Sequence, residues 1–183
     1  MTRRGVTLVE VLTCIAIIGV VAAIAFPVFA SAKLSSKKTA SKESLHQAWL
    51  ALMIYRSDHG GGADFGTAGE MALPMDEASA KILPRPAYVG PNGAWQLYWS
   101  PQTDTTDYRV TKEWVDYTRR CREDSVLIGD RAYDTADPRL GMSEPSILHI
   151  LLGLRLSGKI EERRNRGTPS SPYWWPCVNS NPN

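Results

Sequence analysis

Gly5-Val6-Thr7-Leu8-Val9-Glu10 runs straight into an apolar segment that ends at Phe26, and the rest of the chain is arranged by what this segment must do. Ahead of it stands a basic leader, Met1-Thr2-Arg3-Arg4-Gly5, and within residues 6–26 the only carboxylate is Glu10. At about 1.5 Å of rise per residue this run makes roughly 30 Å of helix, the thickness of a bilayer core. A secretory signal has an apolar region of about 7 to 15 residues and a small-residue cleavage site after it. This run is longer and continues into helix-forming sequence, so ordinary secretion is disfavoured. A plain single-span anchor explains the hydrophobicity and the Arg3 and Arg4 flank, but it leaves a carboxylate in hydrocarbon without a reason, and intramembrane acids are costly and normally functional.

The pattern resembles the cleavage and methylation signal of the type IV prepilin and type II secretion pseudopilin families. Gly5, Thr7, Leu8 and Glu10 match that motif, while Val6 stands where the first mature residue is usually Phe. The resemblance implies a cut after Gly5 by a prepilin peptidase at the cytoplasmic membrane face and methylation of the new terminus at Val6; an assembly role is expected for Glu10, because a carboxylate in hydrocarbon gains by pairing with that terminal amine on a neighbouring subunit. The resemblance also implies a single-pass inner-membrane precursor whose mature form joins homo- or hetero-oligomers of pilin-like subunits in a periplasmic or extracellular filament.

The chain has 183 residues, 43% hydrophobic and 22% charged, enough for the anchor and one soluble domain of about 120 residues. Formal net charge is +2 and becomes neutral once Arg3 and Arg4 leave with residues 1–5, so no polyanion partner is implied. Past the apolar run, Pro27 removes a backbone donor and is expected to kink or loosen the helix without ending it. Lys33, Lys37, Lys38 and Lys42 mark the exit from the membrane, and Leu45, Ala48, Trp49, Leu52 and Tyr55 recur at helical spacing as one apolar stripe. One long helix over 6–57 is expected, with 6–26 transmembrane, stopped by Gly60, Gly61 and Gly62. Residues 58–69 read as a linker loop and 70–183 as the head.

Within the head, Asp76–Leu83 suggests a short helix and Trp95–Trp99 an aromatic strand. Lys112–Cys121 places Trp114, Tyr117 or Thr118, and Cys121 at helical spacing, although its β-branched and aromatic residues keep a strand open. Ser125–Ile128 is a compact apolar strand. His149–Leu156 and Lys159–Arg163 flank Ser157-Gly158, which reads as a two-residue hairpin turn with Gly158 at positive φ. This block resembles the end of the larger pilin-like heads, where a His-to-Asp-Gly hairpin closes the fold, with a shorter gap and Ser157 in place of Asp. The expected class is α+β: a long N-terminal helix packed on a small antiparallel sheet.

No catalytic constellation emerges, and an enzyme is not expected. His46, His59 and His149 lie far apart without metalloprotease spacing, and Ser157-Gly158-Lys159 lacks the rest of a phosphate loop. Asp130, Asp134 and Asp137 offer the oxygen ligands that calcium takes, as acidic loops in some pseudopilins do, but they lack the alternating spacing of a dedicated cradle. They read first as solvated loop acids, with no cofactor expected. The basic run Arg155, Lys159, Arg163, Arg164 and Arg166 is interrupted by Glu161 and Glu162, so charges guarding a strand edge are favoured over nucleic-acid binding. Pro172-Tyr-Trp-Trp-Pro-Cys177 is expected to pack against the head rather than form an adhesive patch. Cys14 lies in the membrane run, which leaves Cys121 and Cys177 to form one disulfide in an oxidising compartment, closing a loop of over fifty residues worth roughly 4 kcal/mol. The reading from a different class is a membrane-anchored extracytoplasmic binding protein that does not polymerise.

Overall fold

The apolar run and the amphipathic stripe form one element, α1, from Leu8 to Asp58, which passes through Pro27. The structure, a computed structural model, describes residues 8–61, 65–88, 95–97, 111–131, 147–167 and 174–177. By internal contacts the chain divides into two units, Met1–Ser36 and Lys37–Asn183. In the first unit the described part of α1 is almost entirely exposed, with Leu8, Ile18 and Phe26 at 80%, 65% and 75%.

In the second unit α1 buries Ser41, Ser44, Leu45, Ala48 and Leu52 on one face. It ends where glycine can take positive φ: Gly60 has φ 84°, and the Gly61 N–H donates to the Arg56 carbonyl at 2.6 Å, the six-to-one bond of a Schellman cap. The chain then returns along the helix. Arg56 Nε donates to the Met71 carbonyl, Ser44 Oγ to the Arg85 carbonyl, and Lys37 sits 3.7 Å from the centre of the Tyr88 ring. Residues 65–69, within the expected linker loop, are irregular and contribute the buried Ala68 to the core.

The short helix α2, Glu77–Ala80, starts at a capping box between Asp76 and Ser79. Lys112–Cys121 is helix α3, with Thr111 as its N-cap, and it buries Trp114, Tyr117, Thr118 and Cys121. The helical spacing of those four residues outweighs their β propensity because one apolar stripe satisfies the whole segment.

Four strands, β1 Trp95–Leu97, β2 Val126–Asp130, β3 Leu148–Arg155 and β4 Ile160–Arg166, form an antiparallel sheet in the order β1-β2-β3-β4. The β3–β4 connection is a three-residue loop, Leu156-Ser157-Gly158, rather than the expected two. Gly158 N–H donates to the Arg155 carbonyl and Arg155 N–H to the Lys159 carbonyl, both at 2.9 Å, with Gly158 at φ 85°. This is a tight turn followed by a left-handed bulge residue, a geometry that lets Leu156 point into the core.

The sheet is covered on both faces, which is why every residue of β2 is buried. One face, with Ile128, Leu152 and Leu154, packs on Leu45, Ala48 and Leu52 of α1. The other, with Val126 and Leu151, packs on Trp114 and Tyr117 of α3 and on Trp174 and Trp175. Strand alternation separates the two clusters: Leu151 belongs to one, Leu152 to the other. Gly153 is required beneath Trp175, since a β-carbon there would fall 2.5 Å from the indole. Gly158 serves Trp49 in the same way, at 2.8 Å.

At the exposed edge of β4, Glu162 accepts from Lys38 Nζ at 2.9 Å and from Arg164 at 2.8 Å. The Lys38 hydrogen bond above all, with Arg164 adding to it, holds the Glu162 carboxyl below its ordinary range. The unfolded chain therefore takes up this proton first as pH falls. Stability from the pair is complete above the ordinary glutamate range and is lost as pH drops through the depressed folded-state value. Lys38→Ala should accordingly flatten the acid limb of a plot of urea midpoint against pH, whereas an unchanged limb would mean that solvent screens the pair completely.

Candidate functional site

The chemistry-bearing residues of the amino terminus sit at the start of α1. Gly5 and Val6 lie outside the described residues. Glu10 occupies the first turn, where a carboxylate is favoured by the helix dipole, and its backbone carbonyl accepts from Thr13 Oγ1 at 3.0 Å. That bond, like Ser31 Oγ to the Val28 carbonyl at 2.9 Å, satisfies a hydroxyl within the helix. Among the described residues α1 is the one helix long and apolar enough to cross a membrane, and its apolar window is 0% buried. A surface of this kind, set with Val11, Ile15, Ile17, Val21 and Phe29, is stable only in lipid or against other apolar helices.

The other candidates fall differently from their sequence reading. Asp130 is fully buried at the end of β2, opposite Trp95 and Leu152, so it is not a solvated loop acid; pairing in a central strand drew it inside. Asp134 and Asp137 lie outside the described residues, and no group of three metal-ligating side chains occurs among the described residues.

Arg155, expected in a surface basic run, is 1% exposed. Its Nη2 donates to Glu161 Oε1 at 2.6 Å and to the Pro176 carbonyl at 3.2 Å, and its Nη1 to the Asp124 carbonyl. The inward face of β3 decides its position: Arg155 pairs with Val126 and shares that face with Leu151. Arg163 lies 5.7 Å over the Trp174 ring, and Arg164 pairs with Glu162, so these charges are engaged within the head. Cys121 and Cys177 form a disulfide with a Cα separation of 5.1 Å, and Cys14 is a free, exposed cysteine on α1. Trp174 and Trp175 are 4% and 0% exposed, whereas Pro172 and Tyr173 lie outside the described residues. Sequence reasoning missed Arg155 as a buried tether; the alternation of Leu151, Gly153 and Arg155 on one face of β3 was the available signal.

An exposed apolar helix with one acid in its first turn, joined to an α+β head, fits the plan of a membrane-anchored pilin. Residues 1–26 match the family model described as the prokaryotic N-terminal methylation motif, and this marks the chain as type IV prepilin- or pseudopilin-like. The motif is of the kind that a prepilin peptidase processes, in proteins that are structural rather than catalytic. No curated protein and no solved structure matches the chain.

Proposed function

We propose that the protein is a subunit of a type IV pilus or type II secretion pseudopilus: cut after Gly5, methylated at Val6, and assembled through the apolar half of α1. The observation that carries this reading is the coincidence of the methylation motif over residues 1–26 with a described helix whose apolar window is uncovered. Once lifted from lipid, that surface is satisfied by the same surface on neighbouring subunits, so the helix serves first as anchor and then as filament core. The head supplies the displayed surface. It acts by assembly and not by turnover, with the inner membrane and prepilin peptidase as its first partners.

The test combines mass and location. Intact-mass analysis of the membrane-extracted protein should show loss of Met1 to Gly5, with one methyl group added. Sheared surface or periplasmic filaments should contain the shortened chain. A mature protein still carrying Arg3 and Arg4 would refute the processing step. A correctly cut chain found only in the membrane pellet would favour an anchored binding protein that does not polymerise.

A further inference from the structure

The segment Trp174–Cys177 packs on the head without entering the sheet, with both tryptophans buried, and contacts of several kinds fasten it. Trp175 fills the space above Gly153, Arg155 holds the Pro176 carbonyl, Arg163 lies over Trp174, and the disulfide joins Cys177 to Cys121. Only the last is covalent. Cys121 is buried and Cys177 half-buried, and both line an open cleft of about 530 Å³ whose walls include Phe65, Arg120, Arg122 and Ser157. Arg122 adopts φ 52°, in the region that favours glycine, and its guanidinium lies 5.5 Å over the Phe65 ring. Such a backbone costs on the order of 1–3 kcal/mol and persists only where its surroundings hold it. Glu123 and Asp124 line the same cleft and offset the two arginines, so what the cleft supplies is access to sulfur rather than a strong field.

We propose that this cleft is the entry port for an attacking thiolate, and that the bond it exposes is a releasable fastening: cutting it frees Trp174–Cys177 as a strap while α1 and the sheet stay folded. The partner is a dithiol, either a small molecule or an exposed protein pair. One of its thiolates attacks Sγ of Cys177, the less buried of the two residues; the S–S bond breaks and Cys121 leaves as a thiolate. The partner's second thiolate then displaces Cys177 from the mixed disulfide. The partner ends oxidised to a disulfide, and both cysteines end reduced, taking up protons according to their pKa values. The head survives because Leu45, Ala48, Leu52, Ile128, Leu152 and Leu154 form a separate cluster that includes neither the strap nor the disulfide. Release uncovers Tyr117, Leu151 and Gly153, an apolar face available to another chain. This inference is independent of the filament reading.

The experiment uses the full chain in detergent micelles, treated with dithiothreitol without denaturant, alkylated, and digested briefly with chymotrypsin. Cleavage at Trp174 should accelerate roughly tenfold or more relative to the oxidised protein, while amide protection in β3 and in the head part of α1 persists. A strap that remains protected after reduction would overturn the proposal, since packing alone would then hold it. Loss of protection throughout the head would overturn it equally, making the bond a staple of the whole fold. The port is tested by Ser157→Trp at its rim. Reduction of the native variant by glutathione should slow roughly tenfold, while the urea-denatured variant reacts at the parent rate. Equal native rates would show that the cleft is not the route.

Discussion

Glu10→Gln should leave processing and membrane insertion intact and remove the chain from sheared filaments. A carboxylate in hydrocarbon costs on the order of 3 kcal/mol even on a lenient scale, so it gains by meeting a cation at the same depth. The proposed cleavage after Gly5 would create one, the amine of Val6, and on a neighbouring subunit that amine could approach without the chain folding back on itself. Glu10 is exposed in the first turn of α1, where a neighbouring helix has access to it. Such a pairing would favour polymer over dispersed subunit and fix axial register between helices. Gln keeps the shape and loses the charge, so the assembly constant for each contact should fall roughly a hundredfold, as about 3 kcal/mol implies. Quantifying the sheared fraction against membrane-bound, correctly cut protein gives the answer. If Glu10→Gln assembles as well as the parent, the pairing is wrong and the acid serves an earlier step.

What the sequence disclosed and what it hid divide along a physical line. Periodic apolar patterns survived translation into structure: Leu45, Ala48 and Leu52 are all buried on one face of α1, and Trp114, Tyr117, Thr118 and Cys121 on one face of α3. Patterns of that kind are local, because each residue's burial follows from its neighbours three and four places away. The hairpin was legible from Gly158, but its loop length was not, since Leu156 leaves the strand to reach a core built from residues distant in sequence. Polar residues inside the head were the least legible. Ser44, Asp130 and His149 are buried because of partners or strand positions far along the chain, which a single sequence does not mark, whereas Arg155 was marked only by its alternation with Leu151 and Gly153. Gly153 looked like an ordinary strand residue, and its meaning appears only when Trp175 is placed above it. At the functional end the balance reverses. The amino-terminal motif over residues 1–26 was legible at once, because an unbroken apolar run is a local pattern in which a lone acid, Glu10, stands out.

The largest stability effect in the head is expected from Glu161→Ala. Its carboxylate is the one acidic partner among the described residues for the Arg155 guanidinium, whose side chain is 1% exposed. The guanidinium's other acceptors among the described residues, the Asp124 and Pro176 carbonyls, are neutral. Removing one member of a buried pair leaves an uncompensated charge and costs about 3–5 kcal/mol; because the Glu161 side chain is 22% exposed, and water can partly replace it, the lower end applies. Urea unfolding followed by circular dichroism should therefore show a loss of about 3 kcal/mol. Replacing both partners separates charge from packing. In Glu161→Ala with Arg155→Met, the buried charge is gone and the apolar stem is retained, so the double variant should recover part of that loss despite carrying one more substitution. It should still release the Pro176 carbonyl and loosen Trp174–Cys177, which increased chymotrypsin cleavage at Trp174 would register while the disulfide remains closed. A single variant within about 1 kcal/mol of the parent would place Arg155 among screened surface ions, contrary to its burial. A double variant less stable than the single one would show that the guanidinium's bonds to the two carbonyls, and not its charge pairing, hold this corner of the head together.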